Sequence, residues 1–104
     1  MSKYVLSWTN RLTGSAAENE AAVKRNLELF TKWEPAPGTT ISPFLNCVDG
    51  SGGFAVVETD DPAELLDAAA KFGTLIDFKA YPVIDINEAV QVMQEGIAFR
   101  ESVG

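Results

Sequence analysis

The sequence predicts an α+β fold, a ferredoxin-like βαββαβ sandwich with one four-stranded antiparallel sheet and an added C-terminal helix. Three observations predict it. Strand-like segments rich in Val, Tyr, Phe and Trp alternate with segments of helical period in the order βαββαβα. Ser/Asp-x-x-Glu spacings at Ser15, Asp61 and Asp85 mark three helix starts. A glycine-rich run, Asp49-Gly50-Ser51-Gly52-Gly53, joins two strand-like segments and reads as the central hairpin.

Lys3 to Asn10 reads as the first strand and Thr13-Gly14-Ser15 ends it. In the helix that follows, Ala16, Val23, Leu27 and Phe30 form one stripe, with Ala22, Leu29 and Trp33 beside it. Glu20/Lys24 and Glu28/Lys32 have the spacing of stabilising i,i+4 pairs. The helix ends before Pro35-Ala36-Pro37-Gly38. Thr40 to Val48 is the second strand, and Pro43 predicts an edge position or a bulge. The glycines at 50, 52 and 53 do not read as a phosphate loop, because strand-like Phe54-Ala55-Val56-Val57 follows where a helix would be needed. Phe54 to Thr59 is the third strand. Asp61 as N-cap, Pro62 at the first helical position and Glu64 at the third open the second helix. Leu65, Leu66, Ala69 and Phe72 are its core face, and Gly73 stops it. Leu75 to Val83 is the fourth strand. Asp85 and Glu88 then open a last helix with Ile86, Val90, Met93 and Ile97 on one stripe.

The 104 residues, 1–104, read as a single domain, 46% hydrophobic and 22% charged, which is globular composition. The net charge of −7, with no basic cluster, disfavours nucleic acid and anionic membranes. One cysteine, Cys47, excludes an intrachain disulfide. The short apolar run at the N-terminus is too small for a signal peptide, and no stretch is long enough to span a membrane, so a cytoplasmic location is expected. Histidine is absent, which removes Ser-His and Cys-His dyads, the commonest zinc ligand and a haem histidine. No metal or cofactor is implied.

A homodimer is expected. Two helices cover one face of such a sheet, and the other must find water, a tail or another sheet. Tyr4, Leu6, Trp8 and Asn10 share one side of the first strand, and both outer strands carry aromatics, so neither face looks purely solvated. The last helix has a surplus apolar edge of Ala89, Val92, Gly96 and Phe99, available to its own sheet or, preferably, to a partner.

Tyr4-Val5-Leu6-Ser7-Trp8, Asp49 to Glu58 and Tyr81-Pro82-Val83-Ile84-Asp85-Ile86 resemble the dimeric α+β barrel superfamily. Within it, the chain is similar to a family of small bacterial proteins catalogued as a domain of unknown function. The resemblance implies two ferredoxin-like sheets paired around an enclosed space. Superfamily branches whose chemistry runs through a histidine do not fit this chain. A cofactor-free oxygenase-like or isomerase-like activity, or none, is what the resemblance then implies.

Candidate site residues follow from this. Trp8, Asn10 and Arg11 close the first strand and Asn46 lies near the end of the second. An aromatic wall with amide and guanidinium donors suits an enolate or phenolate, while the plainer role is loop capping. Lys79 and Tyr81 offer an acid/base pair, the plainer role being a Lys79 ion pair with Asp77 or Glu58. Glu58, near Asp60 and Asp61, is a candidate base or a helix-dipole partner. Cys47 reads as a small buried hydrophobe. Two functions remain: a homodimeric protein binding an apolar, ring-bearing ligand between its sheets, with Tyr4, Trp8, Phe44, Phe54 or Tyr81 as the lining, or a non-catalytic interaction module.

Overall fold

A computed structural model describes residues 2–104. The elements are β1 (Ser2–Asn10), α1 (Ala16–Lys32), β2 (Thr40–Asn46), β3 (Gly52–Thr59), α2 (Ala63–Phe72), a 3-10 turn (Gly73–Leu75), β4 (Ile76–Val83) and α3 (Ile86–Val103). They form one sheet in the order β2-β3-β1-β4. Every neighbouring pair is antiparallel. This is the ferredoxin-like arrangement with a C-terminal helix that the sequence predicts.

The register decides which side chains meet. Leu6 lies between Ala55 and Ala80, Trp8 between Gly53 and Phe78, and Tyr4 between Val57 and Pro82. These residues share the face beneath α1 and α2, because strand side chains alternate. Leu6, Ala55 and Val57 pack with Leu65 of α2 as the core, with Tyr4, Trp8, Ile41 and Phe78 against them. The opposite face carries Val5, Ser7, Phe54, Val56, Lys79 and Tyr81, and no element among the described residues covers it.

The hairpin is tighter than the sequence suggests. Gly52 and Gly53 belong to β3 and are buried, so the turn is confined to residues 47–51. Gly50 takes a positive φ of 77°. Asp49 Oδ1 accepts from the Ser51 N–H (3.0 Å) and hydroxyl (2.7 Å), which holds the Asp49 carboxyl below its usual range. Gly52 and Gly53 are glycines because of close approach: a Cβ at 52 would strike the Trp8 carbonyl oxygen. At 53 it would strike the Leu45 carbonyl oxygen and the Trp8 indole. β2 is an edge strand with a bulge between Ile41 and Phe44, at the Pro43 that predicted one.

Some local expectations change. Ser15 caps α1 by accepting from the Glu18 N–H (3.1 Å), but the Glu18 carboxylate lies against Gly14 rather than returning the bond. Asp61 Oδ1 accepts from the Ala63 N–H (3.0 Å), while Glu64 turns away toward Thr39 and Thr59. Asp85 has N-cap backbone geometry without a side-chain cap bond. Glu28 pairs with Arg25 (3.3 Å) rather than Lys32, the nearer reach at i,i+3.

α3 projects from the domain. No residue of it is buried. The molecule is 63 Å along its longest axis, with a radius of gyration of 18.3 Å. A compact chain of this length has about 13 Å.

Replacing Gly53 by Ala should destabilise the fold by about 1–3 kcal/mol, since the added methyl meets both a backbone carbonyl and an aromatic ring. A urea-unfolding midpoint shift measures it, and an unshifted midpoint would show that the strand gives way freely.

Candidate functional site: an apolar pocket between sheet and helices

α1 stands off the sheet. None of its residues is buried, and Leu27 and Phe30 keep 62% and 49% of their surface exposed although they face inward. The gap is a pocket of about 550 Å³, a size that suits a small-molecule ligand. Leu6, Trp8, Ala55, Val57, Ile76 and Phe78 of the sheet form its floor. Phe44 of β2, Phe30 and Trp33 of α1, and Leu65, Ala68 and Phe72 of α2 form its walls.

The aromatic rings lock one another. Phe44 meets Trp8, Phe30 and Trp33 edge-on, at centroid distances of 5.4, 5.8 and 6.4 Å. Trp33 also meets Phe72 at 5.8 Å. Such edge-to-face pairs contribute about 0.5–1.5 kcal/mol each beyond area burial, and they prop the walls apart without filling the space.

Few polar groups reach this lining. Asn26 of α1 places Oδ1 where neither solvent nor any hydrogen-bond partner reaches it. Glu64 of α2 accepts on Oε2 from the Thr39 hydroxyl and from Thr59 Oγ1 (2.7 Å), and Thr59 in turn accepts from the Asp61 N–H (3.1 Å). The two hydroxyls, Thr39 first, hold the Glu64 carboxyl below its usual range against the opposing effects of desolvation and Asp67. Asn46 Nδ2 donates to the Cys47 carbonyl (3.0 Å), and Asp67 pairs with Lys71 (2.9 Å). No group of three or more His, Cys, Asp or Glu residues able to hold a metal occurs among the described residues.

The residues singled out in the sequence divide between two faces and an edge. Trp8, Phe44 and Asn46 line the pocket, and Tyr4 packs against the core nearby. Glu58, Lys79 and Tyr81, with Phe54, lie on the opposite, uncovered face, and so they cannot share a cavity with Trp8. Lys3 pairs with Glu58 (3.5 Å), and Asp77 pairs with Arg11, so neither carboxylate takes Lys79. Asn10 Nδ2 donates to the Gly50 carbonyl (2.8 Å), and Arg11 Nε to Asp77 Oδ1 (2.9 Å). Asn10 thus takes the plainer loop-capping role, while Arg11 pairs with a residue of β4 instead of capping a loop. Asp77 raises the pKa of Arg11 further. Cys47 is half-buried with a free thiol.

Three residues of the pocket lining are not among the candidates that the sequence singles out. Glu64 has the helix-start spacing that disguises it as a cap. Trp33 looked like core. Asn26 carried a visible signal: it interrupts the apolar stripe of α1 between Val23 and Phe30, where a polar residue is out of place.

A family model described as a domain of unknown function, DUF3303, matches residues 2–97. The chain belongs to this family. The match runs from the start of β1 into α3, so the larger part of the projecting helix, 86–97, lies within the matched domain. No curated protein matches the chain. No helix among the described residues is long and apolar enough to cross a membrane.

The lowered Glu64 pKa gives a pH prediction. Its bonds to Thr39 and Thr59 stabilise the fold above the unfolded glutamate pKa of about 4.3, and that contribution is lost as pH falls through the folded value. Glu64→Gln should flatten the loss of stability below about pH 4.3 relative to the parent. Thermal melts across pH 2–6, on the order of one per half unit, measure it; parallel curves for the two proteins would exclude the assignment.

Proposed function

We propose that this DUF3303 domain is a homodimeric binding protein for an apolar, ring-bearing small molecule, held between its sheet and helices. The observation that carries this reading is the pocket of about 550 Å³ walled by interlocked aromatic rings, into whose lining Asn26 brings a buried acceptor without a donor. A buried polar atom left unpaired costs about 1–3 kcal/mol, so a ligand toward which the Asn26 amide turns, and which supplies the missing donor, recovers stability. A flat ring bearing a hydroxyl or amine meets both requirements: the rings contribute edge and face contacts, and the donor satisfies Asn26.

The resemblance to the dimeric α+β barrel superfamily supports the same reading and adds the homodimer. It also brings cofactor-free oxygenase or isomerase chemistry into view. For that chemistry the pocket would need a base, and Glu64 is a poor one, because two hydroxyl donors already hold its charge and lower its proton affinity. The lining supports binding over turnover. The second reading, an interaction module, is favoured by α3, whose apolar surface is unpartnered.

Both tryptophans of the chain, Trp8 and Trp33, line the pocket, so intrinsic fluorescence reports on it directly. 4-Phenylphenol should shift or quench this emission saturably, and bind roughly fivefold more tightly than 4-methoxybiphenyl, which lacks the donor, for a hydrogen bond of about 1 kcal/mol. Asn26→Leu should erase that difference, and Ala68→Phe should weaken binding by taking up part of the space. No saturable response from the folded parent would overturn the proposal.

A further inference from the structure

We infer that α3 of one copy lies across the open sheet face of a second copy, and reciprocally, so that the solution unit is a helix-exchanged dimer. This rests on the homodimer of the preceding section and not on its pocket.

α3 cannot be explained as a free helix. An isolated helix of its 18 residues is marginal in water, and Gly96 in its second half lowers its helix propensity further. Its apolar residues are nevertheless in water: Ile86, Val92 and Met93 are each more than 60% exposed. A projecting helix with such a surface is stable only against a partner surface. The link from β4 is two residues, 84–85, and leads the helix away from its own sheet.

The shape of the apolar surface indicates what it meets. At about 100° per residue, Ile86, Val90, Met93 and Ile97 cluster within roughly 60° of the helix wheel. Ala89, Val92 and Phe99 occupy the adjoining sector, so that the apolar arc covers about half the cylinder. Pairing with a second α3 would use only a narrow seam. Half a cylinder suits a broad, flat surface, and the uncovered sheet face with Val5, Phe54, Val56 and Tyr81 is one.

Dimensions and charge agree. The 18 residues of α3 span roughly 27 Å, and eight-residue strands span roughly the same. Half the surface of such a helix is about 400 Å², and a reciprocal exchange hides that area on α3 and a matching area of sheet in each chain. The total, about 1,600–1,700 Å², is the size of a standard stable interface. Lys79 stands on the open face with no ion-pair partner among the described residues. Glu88 and Glu101 border the apolar arc of α3 and have none either, and Arg100 lies within it, so a docked helix brings carboxylates toward that lysine and a guanidinium toward Glu58 and Asp77 of the same face.

Light scattering after gel filtration, with the full chain at micromolar concentration, tests the inference. The parent should be a dimer. Val90→Glu with Ile97→Glu, on α3, should weaken dimerisation at least about 100-fold, and so should Phe54→Glu with Tyr81→Glu, on the sheet face. Circular dichroism should show each variant folded. Mixing the two variants should restore a heterodimer, because one intact helix-on-sheet contact survives in the mixture. A monomeric parent overturns the inference. A dimer indifferent to the α3 changes, as direct sheet-on-sheet contact would produce, overturns it too. So does a dimer indifferent to the sheet changes, as α3-on-α3 pairing would produce. Failure of 4-phenylphenol to bind while the exchange behaves as stated would remove only the pocket reading.

Discussion

Trp8 projects from β1 opposite Gly53 of β3, and the space a side chain would occupy at that position holds the edge of its indole. Phe44, on the bulged edge strand, meets the indole edge-on and then reaches both Phe30 and Trp33 of α1. The consequence is that α1 rests on rings rather than on the sheet itself. Small residues beneath, Ala55 and Val57, cannot rise to fill the gap. The pocket is thus a product of one glycine–tryptophan pairing carried outward through an aromatic chain, and the fold beneath it is otherwise a closely registered sheet.

The polar groups near the pocket show the same economy. Glu64 is held by two threonines from different segments, Thr39 before β2 and Thr59 at the end of β3, so this carboxylate ties α2 to the β2–β3 side of the sheet. Its charge is satisfied, which suits a structural tie better than proton transfer. Asn26 is the reverse case. Its acceptor atom is buried and has no hydrogen-bond partner among the described residues, a cost that the rest of the fold carries.

Apolar surface is divided unevenly over the molecule. The buried core is small, Leu6, Ala55, Val57, Leu65 and Ile76, while α3 and the uncovered sheet face hold much of the remaining aliphatic and aromatic area. A chain of this size has few residues to spare from its core. Surface of this kind on two separate elements of one chain is what the proposed exchange of α3 between copies would bury at once.

By itself the sequence determined the order of elements, the helix start at Ser15 and, to within one residue, that at Asp61, the helix stop at Gly73, the edge position of the Pro43 strand and the absence of histidine. Each of these is local: period, turn residues and capping depend on neighbours within a few positions. Only the tertiary structure decided which strand face the helices cover, and with that which candidates belong together. Trp8, Phe44 and Asn46 share a pocket, while Tyr81, Lys79 and Glu58 look the other way, because alternation along a strand defines two faces without saying which is inside. Tertiary contacts also took Gly52 and Gly53 out of the turn, turned Glu64 from a cap into a tie between segments, and set α3 apart from its own sheet. Those outcomes depend on residues tens of positions apart, such as Trp8 and Gly53, and no local pattern encodes the distance between them.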